Sequence, residues 1–266
     1  MKKLSYILSL GIAAMMGSCS NIDEADRLVY VAPAEVKRNV LIEDFTGQAC
    51  VNCPEAAATI EELQEQYGEN VIAVGIYSGP FGDPDLGSQK SKTLVTETGK
   101  EYWDHWFSST QGQPVGLVNR GGATTDWAEA VSKALSVPTL VSLSAVCEYH
   151  AESREADFHV LTKGMVGQNV NLQLWLIENN VTGYQKMPDQ SRNMNYSHQH
   201  VFRAAVNGTW GEPFTFGEEE KTFDYTYTLD EKWVAENMKL VAFVYNDKGV
   251  EQVISVPIVA APESEE

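Results

Sequence analysis

Val40-Leu41-Ile42-Glu43-Asp44-Phe45-Thr46-Gly47-Gln48-Ala49-Cys50-Val51-Asn52-Cys53-Pro54 is the stretch on which the fold turns. Its first half is a short apolar run ending in Thr46-Gly47, the pattern of a strand entering a turn. Its second half sets two cysteines just ahead of a helix. Pro54 suits the first helical turn, where its missing N–H costs nothing. Ile60, Leu63 and Tyr67 then share a stripe, with Ala56 and Ala57 beneath and Glu61, Glu62 and Glu65 outside. Gly68 ends the helix, and Val71 to Tyr77 is a second apolar strand. Strand, helix and strand at this spacing predict a βαβ unit with a parallel pair.

The cysteine pair is the one constellation that carries chemistry. Backbone N–H groups of the first helical turn and the helix dipole favour a thiolate at Cys50. Cys53, one turn on, is placed to attack a mixed disulfide held at Cys50. The same spacing also permits a static structural disulfide. Zinc would need further ligands, and no second Cys-x-x-Cys is present to supply them.

The segment from Val40 to Pro54 resembles the active-site strand, loop and helix of thioredoxins. The resemblance implies that Asp44, six residues before Cys50, is a buried carboxylate acting as proton acceptor for the second cysteine. Glu43 is its adjacent rival. It also implies that Gln113-Pro114-Val115 is the proline segment packed on the cysteines, with Pro114 following a cis bond and shaping the substrate edge. The chain departs from the pattern at Ala49, where an aromatic is usual, and at Val51-Asn52, which leaves the redox direction open. The likeness covers Lys37 to Ser136, with a helical insertion at 79–113 in which Lys90 to Phe107 reads as helix. Thr125 to Leu135 reads as another.

Toward the N-terminus, Lys2-Lys3 precedes an apolar run from Leu4 to Met16, too short to span a bilayer, and then Gly17-Ser18-Cys19. This resembles a bacterial lipoprotein precursor. The likeness implies a signal peptide over 1–18, acyl chains such as palmitate on Cys19, and a membrane contact made by lipid. Residues 19–36 follow as an acidic tether. The whole chain carries 19 basic and 37 acidic residues, a net −18, in 266 residues. Such a balance excludes nucleic acid as a partner, since phosphate binding needs clustered Lys and Arg.

Toward the C-terminus the pattern changes near Ser136 to Pro138. Period-2 segments at Thr139–His150, Ala156–Thr162, Val170–Glu178, His198–Val206, Thr222–Leu229, Lys239–Asn246 and Glu251–Val259 predict a β-sandwich over 137–262, ahead of an acidic tail at 263–266. Cys147 reads as a small buried hydrophobe. His198 and His200 would point the same way on a strand, and Tyr102, Trp103, Trp106 and Phe107 read as core. The stretch Phe202-Arg203-Ala204-Ala205-Val206-Asn207-Gly208-Thr209-Trp210-Gly211-Glu212 is similar to the outer membrane protein 28-related family of envelope lipoproteins. That resemblance implies an α/β thioredoxin-like domain followed by an all-β immunoglobulin-like sandwich, at the cell envelope and anchored in the outer membrane. Two functions are expected of the chain from these resemblances together. One is a thiol–disulfide oxidoreductase acting on envelope proteins with thiols or disulfides, its only redox group the Cys50–Cys53 disulfide, with no bound cofactor or metal. The other is a non-catalytic, adhesin-type protein binding an unknown surface ligand.

Overall fold

The computed structural model describes residues 36–84, 86, 92–108 and 110–260. The expected signal segment, Cys19, the tether before Val36 and the acidic tail lie outside them.

The βαβ unit forms as its sequence predicts. β1 (Val40–Thr46) and β2 (Val71–Tyr77) run parallel, from Val40 opposite Val71 to Thr46 opposite Tyr77, and α1 (Cys53–Tyr67) crosses between them. β3 (Val115–Val118) pairs antiparallel on the other side of β1. α3 (Trp127–Leu135) begins where Asp126 accepts a hydrogen bond from the Glu129 N–H at 3.2 Å. It packs Trp127 and Val131 with Ile60 and Leu63 of α1. α2 (Glu97–Trp106) is shorter than expected. Thr96 is extended and caps the helix by accepting from the Gly99 N–H, so the helix cannot begin at Lys90.

The expected fold class, a thioredoxin-like α/β domain followed by an immunoglobulin-like sandwich, is overturned. The protein is mostly β. β4 (Ser142–His150), β5 (Glu155–Lys163) and β11 (Lys221–Thr228) form a three-stranded sheet, and β7 (Val181–Lys186) and β8 (Arg192–His198) a hairpin. The other late strands are β6 (Asn169–Glu178), β9 (Val201–Ala205), β10 (Glu212–Thr215), β12 (Met238–Asn246) and β13 (Gly249–Pro257). They join β1, β2 and β3 in one mixed sheet ordered β13-β12-β6-β9-β2-β1-β3, with β10 on β6. The junction is narrow: Gly75 of β2 lies opposite Val201 of β9, and its N–H donates to the His200 carbonyl at 2.8 Å.

Burial explains why these strands do not make a free-standing sandwich. Leu172, Leu174 and Leu176 of β6 pack with Phe158 and Val160 of the three-stranded sheet. The alternate residues Trp175 and Ile177 pack with Leu41, Phe45 and Tyr102. A sheet covered on both faces reads as a continuous apolar run, whereas a sandwich leaves one face to water. Cys147 is half-buried against the first of these clusters, and burial pushes its thiol up to about 11.

A buried ion pair fastens β1 to the chain after β3. Arg120 Nε lies 3.3 Å from Glu43 Oε1, and the guanidinium sits over the Tyr245 ring at 4.1 Å and the Phe243 ring at 4.9 Å. Arg120→Met should leave a buried carboxyl without its counter-charge and lower unfolding free energy by roughly 3–5 kcal/mol. Urea denaturation measures this, and a loss under about 1 kcal/mol would show the pair to be dispensable.

Candidate functional site

Cys50 and Cys53 form a disulfide where β1 turns into α1, with Cα atoms 5.4 Å apart. The turn is held from two directions. On one side, the Gln48 N–H donates to Gly82 O (3.1 Å) and the Ala49 N–H to Phe81 O (3.0 Å). Gly47 permits this approach, since a Cβ there would lie 2.1 Å from Phe81 O. Gln113 locks the same layer: its Nε2 donates to Thr46 O (2.8 Å) and Ser78 O (3.0 Å), and its Oε1 accepts from Phe81 N–H (3.1 Å). The bond from Gln113 to Pro114 is cis, and Pro114 leads directly into β3.

On the other side lies the β7–β8 hairpin, which the sequence reading did not find. Gln185 Nε2 donates to Cys50 O (2.9 Å) and Gly47 O (3.3 Å). The Lys186 N–H donates to Gln48 O (2.9 Å), and Gln48 Nε2 donates to Tyr184 O (3.0 Å). Cys50 and Cys53 are consequently only 3% and 2% exposed. A polypeptide cannot reach either sulfur while the hairpin stays in place.

Strand alternation separates the two neighbouring carboxyls. Glu43 faces Arg120. Asp44 faces a cavity of about 40 Å³ that it lines with Cys53, Pro54, Tyr77, Gln185 and His198. That space suits a few water molecules. Asp44 is buried, its Oδ1 has no hydrogen-bond partner, and burial raises its pKa to about 8. Beside it, the Tyr77 hydroxyl lies 2.7 Å from His198 Nδ1, and His198 Nε2 lies 3.2 Å from Tyr184 O. A carbonyl only accepts, so Nε2 carries the proton and Nδ1 accepts from Tyr77. Burial lowers the His198 pKa to about 4 and keeps the ring neutral.

Asp44, Cys50, Cys53 and Pro114 thus sit on elements that converge at one end of β1. His198 and His200 do not share a strand face: β8 ends at His198, and His200 has left-handed backbone with φ 54°. Tyr102 and Trp103 are core, as read from sequence. Gln48 and Gln185 were invisible as site residues, and Gln113 was visible only as the neighbour of Pro114, because a glutamine's partner is set by the tertiary fold.

Two predictions follow from this arrangement. Gln185→Ala removes the side-chain clamp on the disulfide loop, and roughly 1–2 kcal/mol of lost hydrogen bonding should speed reduction of Cys50–Cys53 by dithiothreitol about 5- to 30-fold. An unchanged rate would mean that the hairpin does not control access. Asp44 is protonated in the folded chain up to about pH 8 but ionises near 3.8 when unfolded. Its contribution to stability is therefore full below about pH 4 and is lost as pH rises toward about 8. Asp44→Asn should flatten that slope by several kcal/mol, on the order of 1.4 per pKa unit. Equal slopes in wild type and variant, measured by denaturant titration, would refute it.

The profile of the family described as outer membrane protein Omp28 matches residues 100–261, a span that begins after the cysteine pair. No curated protein matches the chain. Among solved structures the chain is similar to HBP35 of Porphyromonas gingivalis at 17% identity and TM-score 0.64, covering 86% of this chain and 78% of that one. That likeness is one of fold. A domain of the outer membrane lipoprotein Omp28 from the same organism is 31% identical over 44% of this chain and 94% of its own, with TM-score 0.33. The family assignment agrees with the N-terminal reading of a lipid-anchored cell-envelope protein at the outer membrane. With its profile matched over more than half of its length, the chain belongs to the outer membrane protein Omp28 family.

Proposed function

We propose that this envelope protein, held by lipid at Cys19, exchanges thiols and disulfides with other envelope proteins through Cys50 and Cys53. The observation that carries the reading is the orphaned Asp44 carboxyl, which lines a water-sized cavity with Cys53. A disulfide that only staples a loop needs no such group. A buried carboxyl without a partner costs stability, and groups of this kind concentrate where proton transfer is required.

In the oxidised protein Asp44 is protonated at neutral pH. With the β7–β8 hairpin displaced from the loop, a thiolate of a partner protein attacks Cys50 Sγ and forms a mixed disulfide. The Cys50–Cys53 bond breaks, and the departing Cys53 thiolate takes the proton of Asp44. A second partner thiolate then attacks the mixed disulfide and releases Cys50 as a thiolate at the N-terminus of α1. The partner dithiol is oxidised and the pair reduced. In the reverse direction Asp44 accepts the Cys53 proton. Pro114, at the start of β3, borders the edge that the partner backbone meets.

The burial of both cysteines favours a second reading, a non-catalytic binding protein for a surface ligand in which the disulfide is static. One experiment separates the two. The rate at which the full-length protein oxidises a dithiol peptide is measured against pH for wild type, Cys50→Ser and Asp44→Asn. Exchange requires turnover in wild type, none in Cys50→Ser, and a loss of roughly tenfold or more in Asp44→Asn near neutral pH. A pair that resists dithiothreitol in wild type and in Gln185→Ala alike would leave the binding reading.

A further inference from the structure

Three strand edges meet beside the β2–β9 junction. β2 has a strand partner on its β9 side only at Gly75. β13 ends the large sheet, and β4 ends the three-stranded one. A cleft of about 900 Å³ opens among them, within the roughly 300–1,000 Å³ of small-molecule sites. Val71, Ile72, Leu143, Ile177, Ile254 and Val256 supply its apolar lining, and no Phe, Tyr or Trp lines it. An all-aliphatic lining suits an aliphatic chain better than a flat ring, which aromatic side chains would meet. Ala73 and His200 line both this cleft and the Asp44 cavity, so they form the partition between the two.

Three polar groups converge at the His200 end. Ser255 lies opposite Val241, and Lys239 opposite both Pro257 and Ile177. Ser255 and Lys239 are therefore diagonal neighbours on one sheet face, about 7–8 Å apart. Ser255 Oγ is buried without a hydrogen-bond partner. The Lys239 ammonium is exposed and has no acidic partner among the described residues. His200 is held with left-handed backbone, φ 54°, by two bonds: its N–H donates to Asn179 Oδ1 (2.9 Å), and its carbonyl accepts from the Gly75 N–H (2.8 Å). Burial, with nearby Lys239, lowers the His200 pKa to about 4. The neutral ring keeps one N–H to donate and makes no hydrogen bond among the described residues.

The carboxyls nearby do not cancel this arrangement. Glu69 is the one acid on the lining. It precedes Val71, and Val71 to Gly75, where His200 binds, is about 13 Å of strand. β2 and β12 carry no acid. On β6 and β13, Glu178 is paired with Arg203 and Glu251 with Arg38. Glu236, three residues before Lys239, is exposed and does not line the cleft. An ammonium, a hydroxyl and an imidazole N–H at the end of an aliphatic cleft match a carboxylate that carries a hydrocarbon chain.

We propose that this cleft binds an aliphatic monocarboxylate of the fatty-acid type, with its carboxylate on Lys239, Ser255 Oγ and the His200 ring and its chain between β2, β13 and β4. The site uses neither Cys50 nor Cys53, so it stands apart from the thiol–disulfide reading.

The test uses the full lipidated protein on phospholipid vesicles and a decanoate that carries a diazirine on its chain. After irradiation, labelled peptides are mapped by mass spectrometry. Label should fall on residues 71–73, 143–145 and 254–257. Unlabelled decanoate should compete at least about fivefold better than decylamine or decanol, because only the acid meets the ammonium. Lys239→Ala, at an exposed position, should lower labelling about tenfold, the loss expected for one charged hydrogen bond. Ser144→Trp, also exposed and on the lining, should lower it by filling the cleft. Decylamine competing as well as decanoate, or Lys239→Ala labelling like wild type, overturns the proposal. So does label that is absent or that spreads evenly over the surface.

Discussion

β1 is buried on both faces, and most of the structure follows from that constraint. All seven of its residues are inside, so each polar group on it must find a partner or remain unmet at a cost. Glu43 finds Arg120, whose cation also lies on the Tyr245 ring of β12. This contact helps close β1 and β3 onto the later strands. Asp44, one residue on, points to the opposite face and has no such partner. A two-sided burial therefore yields one ion-paired carboxyl and one carboxyl without a counter-charge from adjacent positions.

The same constraint decides the architecture. β6 and β12 alternate between two hydrophobic clusters, one shared with the three-stranded sheet and the other with β1 and α2. The first lies wholly within residues 141–259, whereas the second draws on both halves of the chain. The narrow junction between β2 and β9 is sufficient because side-chain burial joins the halves, while backbone pairing there extends over one residue pair.

Much of this was legible in the sequence, for reasons that can be named. The Val40–Tyr77 unit carries its own signals: apolar strands, a proline inside the helix start and a glycine after its end. Strands with alternating residues, such as β11, announced themselves by period. The sheet order did not, because the apolar runs of β6 and β12 fit a buried strand in many topologies. The β7–β8 hairpin was missed because Val181 to His198 is mostly polar, with weak alternation and Pro188 near its turn. Yet that polarity is what its position demands. A strand laid over a loop that presents carbonyls needs donors, and Gln185 donates to Gly47 O and Cys50 O. Choosing between Glu43 and Asp44 likewise needed the direction of the side chains, which sequence spacing does not supply.

The hairpin also links two properties of the site that look separate. Gln185 and His198 wall the cavity that Asp44 faces, and it is burial that holds the Asp44 carboxyl protonated up to about pH 8. The contact that keeps solvent from the disulfide therefore also keeps a proton on Asp44. Lifting β7 would admit water to both, drawing the carboxyl back toward the ordinary range as the sulfurs become reachable. Neutral His198 adds no positive charge that would hold Asp44 ionised. The proton on Asp44 and the cover over Cys50 are in this way two consequences of one packed strand, so access to the disulfide and the protonation of its neighbour change together.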